Sequence, residues 1–126
     1  MALAISAIAH PISMSNAVAN VREDEVLVEL RIMLEDLVLF HSLKADSETI
    51  FKAADLRKAA EKHDAFLLKY FSIRDGKGKL LKGEVERRDL AAITDEGVPQ
   101  AELMKRHAIY LMRYKQMAVK PKFITI

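Results

Sequence analysis

The chain contains no cysteine, so disulfides, thiolate metal sites and cysteine nucleophiles are excluded together. Tryptophan is absent and only 6% of residues are aromatic, which leaves leucine, alanine, isoleucine, valine and methionine to fill a core. Four glycines and three prolines are few breakers for 126 residues, a composition that favours long segments packed helix on helix. The first 21 residues, MALAISAIAHPISMSNAVANV, carry no Lys, Arg, Asp or Glu. A secretory signal needs a basic start, which this stretch lacks. Its apolar run to Pro11 is too short to span a bilayer, and His10-Pro11 breaks any helix begun near Ala2. No Ser-His-Asp pattern or phosphate-cradling loop is visible; Gly76-Lys77-Gly78 lacks the Walker spacing and its Ser or Thr. The expectation is therefore no enzyme, no catalytic residue and no cofactor.

What remains is 51% hydrophobic and 30% charged, enough apolar surface to fold one core. The charge is uneven. Residues 22–72 hold 8 basic and 11 acidic residues, and residues 73–126 hold 12 and 7. Complementarity between helices is the expected use of that split.

Helical spacing dominates the reading. Val26, Leu30, Met33, Leu37 and Phe40 recur at intervals of four and three, and Ser15 or Asn16 can cap the segment. Its circumference is apolar except near Glu25, Glu29 and Asp36, which predicts a central helix. Asp46 or Ser47 can cap a second helix running to Ser72, with Ala53, Leu56, Ala60, His63, Leu67 and Tyr70 as a heptad-like seam. A shorter helix is expected over roughly 80–94. A last one is expected to begin at Pro99, with Leu103, His107, Tyr110, Tyr114 and Met117 as its stripe, and to stop at Pro121. The predicted fold is all-α: a small helical bundle of about four helices around an antiparallel helical hairpin near 21–43 and 47–72. An apolar arm over 1–20 precedes the bundle domain of 21–120, and a tail over 121–126 follows it.

Two loops resemble degenerate EF-hands. Counted from Lys44, Asp46 falls at position 3, Glu48 at 5, Phe51 at 8 and Asp55 at 12; counted from Ile73, Asp75 falls at 3, Gly78 at 6, Leu80 at 8 and Glu84 at 12. Lys44 and Ile73 occupy the first ligand position and Thr49 replaces the turn glycine of the first loop, so the resemblance over 44–55 and 73–84 implies loops that do not bind calcium, and no metal is expected. His41-Ser42-Leu43-Lys44 is similar to the His-x-Leu-Lys of histidine phosphotransfer domains, with Ala45 where those carry glycine. Glu61, His63 and Asp64 lie together in sequence but diverge on a helix, and His63 and His107 fall on apolar stripes as core histidines.

The function expected is a non-enzymatic structural or adaptor subunit of a larger protein assembly, a homo- or hetero-oligomer held by helix–helix and tail contacts. Leu3, Ile5 and Ile8 supply the N-terminal contacts, and Leu27, Leu34 and Val38 those of the first helix. Phe123, Ile124 and Ile126 supply those of the tail. One alternative is a regulatory EF-hand-like module that binds a partner helix. Another is a phosphotransfer or nucleic-acid-binding helical domain, in which Lys105, Arg106, Arg113 and Lys115 form a basic face. Nucleic acid is the less favoured partner, because no recognition motif or stacking aromatics accompany those cations.

Overall fold

Described residues 6–9 and 16–116 of a computed structural model replace the predicted bundle with a mainly β architecture. In chain order the elements are β1 (Ser6–Ala9), β2 (Asn16–Val21), β3 (Glu25–Met33), α1 (Leu34–Phe40), β4 (Ile50–Phe51), α2 (Ala53–Tyr70), β5 (Phe71–Arg74), β6 (Lys82–Asp89), β7 (Val98–Pro99) and β8 (His107–Lys115), with a 3₁₀ turn at Gln100–Glu102. The main sheet is antiparallel in the order β2-β3-β8-β6. Two small antiparallel pairs, β1-β5 and β4-β7, flank it.

The all-α expectation fails first at Glu25–Met33. Val26, Val28, Leu30 and Ile32 alternate into the core at 0–1% exposure, a period of two rather than 3.6. Leu27 and Met33 sit on the opposite face and are themselves apolar, so the alternation is hidden and the stretch looks apolar all round. Three of the four inward residues are β-branched, which suits a pleated surface. The spacing from Val26 to Phe40 therefore straddles two elements, and only Leu34–Phe40 is helical. The last predicted helix fails in the same way. Ala108, Tyr110, Met112 and Tyr114 point inward from β8, while Ile109 and Leu111 on the other face mask the period. The helix expected over 80–94 is instead β6 and the turns after it.

The second predicted helix exists, shortened to α2. Its seam is buried at Ala53, Leu56, Ala60, His63 and Leu67, but it packs on the sheet and on α1 rather than on another long helix. Tyr110 Oη donates to the Ala60 carbonyl at 2.7 Å and Tyr114 Oη to the Phe71 carbonyl at 2.8 Å, so both buried phenols are satisfied. Arg88 on β6 clamps Asp64 on α2 through Nε and Nη2 at 2.6–3.1 Å. A two-pronged pair of this kind fixes the helix to the sheet edge. None of the described helices is long and apolar enough to cross a membrane.

The two loops that resemble EF-hands share one plan. Asp46 Oδ1 accepts from the backbone N–H of Glu48 and Ile50, and Asp75 Oδ1 accepts from those of Lys77 and Lys79, all at 2.9 Å. Each aspartate also pairs its own N–H with the carbonyl four residues on. The residue before that carbonyl is left-handed in both, Thr49 at φ 62° and Gly78 at φ 80°. Glycine takes this conformation freely, whereas a β-branched residue pays roughly 1–2 kcal/mol. Thr49→Gly is therefore expected to stabilise the fold by about 0.5 kcal/mol once glycine's greater unfolded freedom is subtracted. A raised urea midpoint at unchanged slope would show it, and a lowered midpoint would contradict it.

Candidate functional site

The densest group of chemistry-bearing side chains lies where the end of α1 meets the middle of α2. His41 follows the last residue of α1, and His63 lies on the inner face of α2 at 2% exposure. His41 Nε2 and His63 Nδ1 are 3.0 Å apart, so one imidazole donates and the other accepts. Phe40 sets its ring edge-on to both, with centroids 4.9 Å from His41 and 5.1 Å from His63. Phe66 packs tilted against Phe40, with centroids 4.2 Å apart, and lies 4.9 Å from His63. Tyr70 packs tilted against Phe66 at 4.7 Å, with Lys69 Nζ 5.2 Å from its centroid.

The local sequence explains this placement. α1 starts where Leu34 and Glu35 donate their N–H groups to the carbonyls of Arg106 and Leu103. One short helix later, Leu34, Leu37 and Val38 are in the core, while Leu39 and Phe40 emerge at 68% and 49% exposure. On α2, His63 and Leu67 face inward and Phe66 lies beside them, partly buried. Burial, then the neighbouring His41, pushes the His63 pKa down to about 4, against a smaller upward pull from Asp64. Burial and then Lys62 lower that of His41. Both rings are thus neutral at pH 7.

The residues expected from sequence scatter. Leu34 and Val38 are spent in the chain's own core, and Leu27 is half-buried on the outer face of the sheet. Ile8 lies in β1, where its backbone pairs with Ser72. Leu3, Ile5, Phe123, Ile124 and Ile126 lie outside the described residues. Asp46 and Asp75 are engaged by backbone N–H groups as above; Glu48 and Asp55 are exposed beyond the first corner, and Glu84 is exposed on β6. Among the described residues no three His, Asp or Glu side chains gather as a metal-binding group. Of the four cations, Lys105 and Arg106 precede β8, whereas Arg113 and Lys115 lie near its far end on the strand's outward face. Arg106 pairs with Glu102 at 2.7 Å before β8, and Arg113 pairs with Glu86 at 2.8 Å and Glu25 at 3.4 Å near its far end. Lys105 and Lys115 are exposed at opposite ends of the strand. The His41–His63 contact is hidden in the sequence because α1 is too short to be seen as a separate element.

No family model, curated protein or solved structure matches the chain.

A second surface stands out by contrast with its counterpart. The main sheet has two edges. On β6, Lys82, Glu84, Glu86, Arg87 and Asp89 are exposed and the register shifts between Val85 and Arg87. Charges and a bulge of this kind block strand addition. On β2, all six residues, Asn16-Ala17-Val18-Ala19-Asn20-Val21, are exposed and none is charged. Ala17, Ala19 and Val21 pair with Leu30, Val28 and Val26, which are fully buried on the same face. Among the described residues the apolar face of the sheet thus runs out past the helix layer onto a strand with no neighbour on its outer side.

Proposed function

We propose that this chain is a non-enzymatic structural subunit that assembles by strand addition along β2, with a second copy as the added strand. The asymmetry of the two edges carries the reading: β6 bears the features that prevent pairing, and β2 has none of them among the described residues. An uncharged strand can meet its own copy antiparallel across a two-fold axis without like-charge repulsion. The exposed Val18 (54%) and Val21 (44%) then gain cover, and two four-stranded sheets become one of eight strands.

Sedimentation at tens of micromolar is expected to give a dimer for the full chain. Val18→Lys places a lysine from each copy at the joint and is expected to weaken dimerisation by about tenfold or more, with circular dichroism unchanged. A full chain that sediments as a monomer, or a Val18→Lys variant that dimerises as well as the parent, would refute the proposal.

A further inference from the structure

The main sheet has a second face, turned away from the helices. Strand alternation places Leu27 and Met33 of β3 there, with Ile109 and Leu111 of β8. All four are half-buried, yet none belongs to the core cluster or packs against it. Leu34 and Leu37 of α1, and Leu56, Ala60 and Leu67 of α2, belong to that core, on the other side of the sheet. The four outer residues make a separate apolar band: Ile109 and Leu111 are neighbours along β8, and Leu27 and Met33 lie on their diagonals. Charges share this face. Glu29 and Arg31 on β3, and Arg87 and Asp89 on β6, are exposed, and none of them enters an ion pair among the described residues.

The arrangement of these residues has a two-fold pattern. Leu30 pairs with Tyr110, and Tyr110 with Arg88, so these three mark one level across the sheet. One residue to either side of that level stand Glu29 and Arg31, Leu111 and Ile109, and Arg87 and Asp89. Three residues to either side on β3 stand Leu27 and Met33. A second copy turned over about an axis at this level lays β3 on β3 and β8 on β8, running oppositely. Glu29 then meets Arg31 of the second copy and Arg87 meets Asp89, while Leu111 meets Ile109 and Leu27 meets Met33. Each of these contacts occurs twice, as a two-fold interface requires. Packed sheets stay within about 30° of alignment, which keeps pairs this close to the axis together. A nucleic acid or an anionic lipid surface selects charge of one sign, whereas here the signs alternate.

We propose that the outer face of the main sheet binds the same face of a second copy, antiparallel, about an axis at the level of Leu30 and Tyr110. The contact does not depend on strand addition, which uses the edge of β2. Its charges must shed water on association, so it forms at higher concentration than the edge contact. Where both operate, a dimer becomes a tetramer.

The test is sedimentation of the full chain at two concentrations. Whatever species the chain holds at tens of micromolar, its mass is expected to double at hundreds. Glu29→Arg sets arginine on arginine twice across the axis and is expected to weaken the doubling step about tenfold or more. Adding Arg31→Glu exchanges the signs and restores opposite charges, and is expected to bring the affinity back to within about threefold of the parent. Both side chains are exposed, so neither change threatens the fold, and circular dichroism is expected to stay the same. A mass that does not double overturns the proposal. So does a Glu29→Arg chain that doubles as readily as the parent, or a double variant that recovers nothing. Failure of strand addition has a different signature: the step then runs from monomer to dimer and keeps the same response to the charge exchange.

Discussion

Gly83→Ala is expected to lower the unfolding free energy by about 2 kcal/mol, the cost of overfilling a packed core. For a domain of this size that corresponds to a fall of roughly 8 °C in the thermal midpoint. Gly83 lies on β6 opposite Tyr114. A methyl group there would sit 2.5 Å from Tyr114 Cε2, 2.8 Å from Cδ2 and 3.2 Å from Leu68 Cδ2. The ring has little room to yield, because it is 2% exposed and its hydroxyl is bonded to the Phe71 carbonyl. Alanine in a strand would otherwise gain about 0.5–1 kcal/mol over glycine, so the sign of the result tests which effect wins. Tyr114→Leu made alongside should relieve the clash and shrink the cost of Gly83→Ala, a coupling that a double-mutant cycle reads directly. A neutral or stabilising Gly83→Ala would mean that the ring is not held as described.

Acid is expected to remove about 3 kcal/mol of stability between pH 6.5 and 4 through His63 alone, since each pH unit separating its folded and unfolded pKa values is worth about 1.4 kcal/mol. In the unfolded chain this imidazole takes its proton near pH 6.5; in the folded chain it resists until about pH 4. Between those values the unfolded state binds more protons, so lowering the pH favours unfolding. Above pH 6.5 both states are neutral and the contribution is flat; below about pH 4 both are protonated and the loss is complete. His41, Asp64 and Tyr110 are the ionisable groups around the ring, with Lys62 beside His41 and Arg88 bound to Asp64. Carboxylates also titrate toward pH 4, so the comparison that matters is with His63→Gln. Urea midpoints measured in chelator across this range should fall more steeply for the parent than for the variant. Parallel curves would show that His63 does not control the transition.

How much of the fold is legible in the sequence depends on which side chains line the outer face of each strand. α2 is readable, because its seam from Ala53 to Leu67 keeps a clean 3,4 spacing and no breaker interrupts it. β3 and β8 are not, because Leu27, Met33, Ile109 and Leu111 put apolar residues where an exposed strand face is expected to be polar. The corner at Asp46–Ile50 reads as a helix cap, since an aspartate followed by a helix former serves either purpose; the left-handed Thr49 that distinguishes them leaves no mark in sequence. The histidine pair is invisible for a different reason. His41 and His63 lie 22 residues apart, and their meeting requires α1 to end at Phe40 and α2 to run past it. The open edge at β2 is foreshadowed only by the absence of charge in that stretch.

The position of β8 bears on how the protein is made. It is the last described strand, yet it lies in the middle of the main sheet, pairing Glu25 with Lys115 and Met33 with His107 on one side and the whole of β6 on the other. During synthesis β2, β3 and β6 all leave the ribosome before the strand that separates β3 from β6 exists. Until then the fully buried row Val26, Val28, Leu30 and Ile32 has no partner on that side, and the nascent chain carries an unsealed apolar strand. Such a topology folds slowly for its length, because its central pairing closes the longest loops. Translation pauses ahead of His107, or fragments that end there, would prolong the interval in which that apolar strand is unsealed.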